Sequence, residues 1–173
     1  MKVFGITGSS GSGKTTLMVK LLPELISRGL KVSTMKHTHH RFDLDQEGKD
    51  SYEHRQAGAS EVMISSESRW ALMHELRGDP ELDMDELIER MTPVDLLLIE
   101  GFKSHHYDKL EVFRHENGKP LRAAEDKDVI AIACDKPLDD IDIPVIDLND
   151  PSAIADFIIG RCGLHGSVKN GAA

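Results

Sequence analysis

The sequence predicts an α/β domain with helices layered on a mostly parallel sheet and a small antiparallel extension. Three observations predict it. Apolar runs of strand length alternate with segments of helical periodicity. Most of those runs are apolar throughout, as strands buried on both faces are. A glycine- and serine-rich stretch, Gly8-Ser9-Ser10-Gly11-Ser12-Gly13, joins the first such run to the first helical segment.

The elements follow in order. Residues 3–7 form a short apolar run that stops at Gly8, a buried strand. Leu17, Met18, Leu21, Leu22, Leu25 and Ile26 recur at helical spacing, and Gly29 closes that helix. Pro23 lies inside it and is expected to kink or break it. Residues 31–36 read as a second strand, 37–48 as irregular polar chain, and 49–57 as a helix stopped by Gly58. Residues 62–65 and 69–76 read as two strands, a candidate hairpin. Residues 84–91 form a short helix with Asp83 as N-cap. Residues 94–99 are the most apolar run and read as a central parallel strand. Strands at 110–114, 129–134 and 144–147 follow, then a helix over 151–161 with Pro151 in its first turn. The tail GLHGSVKNGAA is small and polar and is expected to be disordered. The reading is one domain over 1–162 with a flexible tail at 163–173.

Composition narrows the function. A chain of 173 residues buries a core without disulfides or structural metal. With 39% hydrophobic and 29% charged residues it has the composition of a soluble globular protein. A net charge of −9 argues against a nucleic-acid coat. No apolar run reaches the length of a membrane span, and the first residues carry Gly and Ser where a signal peptide is apolar. A cytoplasmic protein without a membrane partner is expected. Cys134 and Cys162 form neither a disulfide framework nor a zinc-ligand spacing, so reduced, partly buried thiols are expected. The charge is uneven: residues 1–41 sum to +6 and residues 42–173 to −15. A basic N-terminal quarter on an acidic chain suggests an anion site there.

Gly8 to Thr15 fit G-x-x-x-x-G-K-[ST], the P-loop. Glycines let successive backbone N–H groups turn toward a phosphate, and the helix that follows points its positive end at the same place. Ser10, Gly11, Ser12, Gly13 and Thr16 complete the cradle, Lys14 serves the β- and γ-phosphates, and the Thr15 hydroxyl serves Mg²⁺. The motif lies between a predicted strand and a predicted helix, as it must. The fold class is therefore a P-loop NTPase with a three-layer α/β/α arrangement.

Such a site needs an acid at the end of a second strand to hold Mg²⁺ or its water. Glu100 closes the most apolar strand at the edge where ligands gather. Asp95 starts that strand, about 16 Å away, at the opposite edge. Glu100 is the better candidate, and Gly101 lets the backbone pass close to phosphate. Lys36 and Lys103 are candidate anion contacts. The segment Lys36-His37-Thr38-His39-His40, with Asp43, Asp45 and Asp50, admits three readings: a transition-metal site, a switch around the γ-phosphate, or a solvated loop. Base choice is poorly encoded. Lys136 and Asp139 lie where a guanine signature is expected, at the wrong spacing.

These residues resemble a known family. The P-loop GSSGSGKTTL, the KHTHH and GKDS segments, the strand end Ile99-Glu100-Gly101-Phe102-Lys103, and Lys109-Leu110-Glu111-Val112 are similar to those of the MobB adapters of molybdopterin-guanine dinucleotide biosynthesis, over roughly residues 1–162. The resemblance implies a homodimeric GTP-binding adapter with at most slow hydrolysis. Its partners would be a MobA-like guanylyltransferase and molybdopterin, and its cofactors GTP and Mg²⁺. It implies phosphate contacts from Gly8 to Thr16, and Mg²⁺ between Thr15 and Glu100. Asp45, Asp50 and His37 become switch-side candidates, with Asp45 and Lys14 in catalytic roles beside Glu100. Two other readings of the same motifs are a small-molecule kinase or ligase, and a metallochaperone GTPase using the histidines.

Overall fold

The computed structural model describes residues 1–38, 42–102 and 105–164. They divide into two compact units, Thr38–Met91 and the remainder.

The larger unit is built on β1 (Lys2–Thr7), β2 (Val32–Lys36), β5 (Leu96–Glu100), β6 (Lys109–Phe113), β7 (Val129–Cys134) and β8 (Val145–Asp147). They form one sheet in the order β2-β5-β1-β6-β7-β8, and every recorded pair in it is parallel. The expected mostly parallel sheet is present. Helices α1 (Lys14–Ser27) and α4 (Pro151–Cys162) pack together and bury Leu17, Leu21, Leu25, Ile154 and Ile158 against Phe4, Ile6, Leu96, Leu98 and Val112. The Phe157 ring meets Phe4 edge-on at 6.5 Å. Burial of this many apolar side chains is the main force holding the sheet and helices together.

Register sets the functional edge. Lys36 of β2 and Ile6 of β1 both face Glu100 of β5, and Thr7 faces Glu111 of β6. Four strands therefore finish side by side, with β1 between β5 and β6. Loops leaving that edge converge, which is where open α/β sheets place ligands.

Two charged residues are buried beside this edge. Lys109 is 2% exposed and donates to Asp126 (3.0 Å) and Asp128 (3.5 Å), with its ammonium 5.0 Å from the Tyr107 ring centroid. Glu111 is 1% exposed and accepts from the backbone N–H groups of Arg122 and Ala123, both at 2.9 Å. Each buried charge is thus paired or hydrogen-bonded, as burial requires. Both residues of the Lys109–Val112 segment act in the fold.

The smaller unit holds α2 (Asp50–Gln56), the antiparallel pair β3 (Glu61–Ser65) and β4 (Trp70–His74), and α3 (Met84–Glu89). The hairpin is the expected antiparallel extension. Asp83 caps α3 as anticipated, in a reciprocal capping box with Glu86. Buried apolar side chains here are few: Val62, Met73 and Met84. An ionic cluster supplements them. Arg55 grips Asp45 with two bonds of 2.7 and 3.1 Å, reaches Asp43 at 3.0 Å, and lies 5.1 Å from the Tyr52 ring centroid.

Of the kink or break expected at Pro23, the break does not occur. Helix α1 runs unbroken from Lys14 to Ser27. The carbonyl deprived of a donor is that of Val19, a residue 66% exposed, and the helix continues past this one missing bond. Strand β5 starts at Leu96 and takes in Glu100, one residue beyond the expected end. Asp95 lies outside it, accepting the Lys31 N–H at 2.7 Å at the far edge. Short 3-10 turns at His115–Asn117 and Arg122–Ala124 were not legible in the sequence. Gly163 caps α4 in left-handed geometry and Leu164 packs on the core. The rest of the expected tail lies outside the described residues.

Candidate functional site

The phosphate-type loop leaves β1 at Thr7. Gly8 has φ +142, and a Cβ there would stand 2.4 Å from the Val112 carbonyl oxygen and 2.8 Å from Ser12 Oγ. Only glycine fits. Gly11 (φ +81) and Gly13 (φ +97) are also left-handed, so the loop coils before α1 begins. Among the described residues no side chain caps α1, and no acid lies in its first turn. Its leading N–H groups and the positive end of its dipole are in a position to receive an anion. Ser12 is 1% exposed, and its Oγ has no hydrogen-bond partner among the described residues. Lys14 Nζ donates to the carbonyls of Gly8 (3.1 Å) and Ser9 (3.0 Å), which folds the ammonium back over the loop. Ser10, Thr15 and Thr16 are exposed, with Thr15 and Thr16 in the first turn of α1.

Glu100 ends β5 with a side chain 17% exposed, 3.8 Å from the ammonium of Lys36. Its Cα partner Ile6 is two residues before Gly8. Glu100, Lys36 and the loop are thus brought to one edge. The turn after Glu100 is held from several sides. Gly101 has φ +113 and Phe102 has φ +47. The His37 N–H donates to the Glu100 carbonyl at 2.9 Å, and its ring sits 4.6 Å from that of Phe102. Tyr107 donates its hydroxyl to the carbonyl of Gly101 at 2.9 Å. Burial, with Asp126 and Asp128 nearby, pushes the Tyr107 phenol up to about 12, so it remains a donor. Unfavourable backbone held by this many contacts is found chiefly at working sites.

Other candidates are placed differently. Asp45 and Asp50 belong to the smaller unit. The Asp45 side chain is 1% exposed, and the hydrogen bond from Arg55 holds its carboxyl below the usual range. His39, His40 and Lys103 lie outside the described residues.

The sequence reading missed Arg114. It follows β6, which pairs with β1, and a Cβ on Gly13 would lie 3.4 Å from its Nε. A salt bridge to Asp135 at 3.4 Å steadies the guanidinium. Asn117 approaches Gly11 in the same way, at 3.7 Å to Oδ1, while its buried Nδ2 has no partner among the described residues. The available signal was topological: a cation just past a strand, at the edge where the loops gather. Further along that edge Cys134, Asp135, Lys136, Pro137, Leu138, Val145, Ile146 and Asp147 line a cavity of about 390 Å³.

A parallel sheet whose first strand feeds a glycine-coiled loop, with lysine over the loop and an acid closing the neighbouring strand, defines a P-loop NTPase fold. The family of that class follows from comparison. The chain belongs to the MobB family: the family model described as "Molybdopterin guanine dinucleotide synthesis protein B" matches residues 3–135. The molybdopterin-guanine dinucleotide biosynthesis adapter protein of Escherichia coli K12 is 46% identical over 153 residues, covering 87% of each chain. Its Haemophilus influenzae counterpart is 46% identical over 157 residues, covering 90% of this chain and 86% of that one. A crystal structure of a molybdopterin-guanine biosynthesis protein B superimposes with a TM-score of 0.74 at 28% identity, covering 92% of this chain and 99% of the other.

Proposed function

We propose that the chain is a GTP-binding adapter for a MobA-like guanylyltransferase, the enzyme that joins GMP to molybdopterin. The observation that carries this reading is the coiled loop from Gly8 to Lys14, closed against Val112 and roofed by Lys14 and Arg114, in a chain of this family. Its unpartnered Ser12 hydroxyl and uncapped helix start fit a polyphosphate. Thr15 and Glu100 would hold Mg²⁺, whose chemistry here is to neutralise charge on the β- and γ-phosphates. Lys36 balances the Glu100 carboxylate when no cation does.

Guanine is favoured over adenine by the relatives, which are named for a guanine dinucleotide. The cavity beyond Cys134 has room for a base, and Asp135 offers it a carboxylate. Burial pushes the Asp135 carboxyl up. The hydrogen bond from its own N–H and the Arg114 charge more than offset that, and it stays ionised. Guanine presents two adjacent N–H donors to such a group; adenine does not.

Hydrolysis should be slow. Asp45, the acid expected on the switch side, is taken up by Arg55. The adapter would work as a homodimer in the cytoplasm. Met63 and Leu72, directly opposite each other on the hairpin, and Trp70 two residues away share one face and are 63%, 43% and 67% exposed. A second copy covering that apolar face would remove it from water. The test is GTP turnover by the purified chain, alone and with the guanylyltransferase. Turnover below about one per minute alone is expected; tens per second unaided would make it an independent GTPase and overturn the adapter reading.

A further inference from the structure

We propose that His115, Cys134 and Asp135 form a binding site for a zinc-class divalent cation. Cys134 closes β7, and its register partner is Phe113 at the end of β6. His115 opens the 3-10 turn two residues past that partner, and Asp135 follows Cys134 directly. Two strand ends thus deliver a thiol, an imidazole and a carboxylate to one point. Cys134 Sγ lies 3.7 Å from His115 Nδ1 and 3.7 Å from Asp135 Oδ1. His115 Nδ1 lies 3.8 Å from the same Oδ1.

The spacing is informative. At 3.8 Å the imidazole and carboxylate are too far apart for a hydrogen bond, and the sulfur contacts are long and weak. The three atoms form a nearly equilateral triangle. A point equidistant from them lies about 2.2 Å from each, against roughly 2.0–2.3 Å for zinc bonded to nitrogen, oxygen or sulfur. Drawing the triangle in by about 0.3 Å gives tetrahedral bite. Mixed N, S and O donors suit zinc or cobalt, whereas magnesium takes oxygen alone.

The surroundings support the ligands. Arg114 occupies Asp135 Oδ2 at 3.4 Å and leaves Oδ1 for a cation. The Phe113 ring meets the His115 ring nearly edge-on at 5.3 Å and fixes its plane. Such outer contacts orient ligands in metal sites. The Arg114 charge opposes a cation and burial pushes the Cys134 thiol up, but a bound cation would displace the thiol proton, and thiolate and carboxylate together would then supply two negative charges. Three protein ligands leave a fourth position, and the cavity beside Cys134 and Asp135 has room for water or an incoming donor. The cation site belongs to the nucleotide-free chain, because the Asp135 carboxylate offered above to guanine cannot serve a cation and a base at once.

The test is Co²⁺ titration of the reduced full chain, followed by its near-ultraviolet thiolate-to-cobalt absorption, with Zn²⁺ as competitor. The wild type should take one equivalent with that band, and Zn²⁺ should abolish it. Cys134→Ser should lose the band and Cys162→Ser keep it. His115→Ala, at a half-exposed position, should keep the fold and weaken binding about a hundredfold. If Cys134→Ser proves unfolded by circular dichroism, His115→Ala decides alone. Absence of the band in wild type, loss of it in Cys162→Ser, or unchanged affinity in His115→Ala each overturns the proposal.

Discussion

A methyl group on Gly101 would stand 2.7 Å from His37 Cβ, closer than two carbons approach without displacement. The two residues are locked because the His37 N–H is bonded to the Glu100 carbonyl at 2.9 Å, so neither chain can draw back cheaply. Whatever moves Gly101 therefore moves Glu100. We predict that Gly101→Ala lowers stability by about 2 kcal/mol, from strain at φ +113 together with the clash. It should also weaken Mg²⁺-dependent nucleotide binding more than Mg²⁺-free binding. Denaturant unfolding and paired titrations check both.

Lys14→Ala removes the ammonium above the loop while leaving the core of Leu17, Leu21 and Leu25 intact. Nucleotide affinity should fall by about a hundredfold, as loss of a charge-assisted contact of roughly 3 kcal/mol implies. The melting temperature without nucleotide should change little. Calorimetric titration beside a thermal melt separates the two effects.

The Asp45–Arg55 pair makes the smaller unit acid-sensitive. The hydrogen bond from Arg55 lowers the Asp45 carboxyl in the folded chain. A depressed carboxyl contributes its full stability above the unfolded value of about 4 and loses it as pH falls below that. The protection factors of the amides in Asp50–Gln56, measured against the intrinsic exchange rate at each pH, should fall on acidification below pH 4. In Asp45→Asn they should already be low at neutral pH, with little further response to acid.

The exposed face of Met63, Leu72 and Trp70 has a measurable consequence. Trp70→Glu places a charge on the apolar face without touching buried Val62 or Met73. Sedimentation should show a dimer for wild type and a monomer for the variant, with unchanged circular dichroism.

Much of the fold was legible because its signals are local. Gly8 and Gly29 end apolar runs, Asp83 announces a capped helix, and residues 96–99 are apolar without interruption. The loop residues and Glu100 were legible for the same reason, since motif and strand end lie in short stretches. Arg114 and the His115–Cys134–Asp135 cluster were not. They depend on β6 lying between β1 and β7, a register that no local pattern encodes. Pro23 was expected to kink or break α1, yet the helix is unbroken, since Pro23 removes only the one bond to the Val19 carbonyl and the Leu17, Leu21 and Leu25 face still packs. Asp45 was weighed as a switch residue because its partner Arg55 lies ten residues away across an irregular segment.

The central claim is that this loop and its edge hold a magnesium guanine nucleotide. The most direct measurement is an equilibrium titration of the purified chain with GTP and with ATP, each with Mg²⁺. The account predicts one site per chain and a GTP affinity at least about tenfold above that for ATP, or roughly 1.4 kcal/mol. Equal affinities, or a preference for ATP, would contradict it.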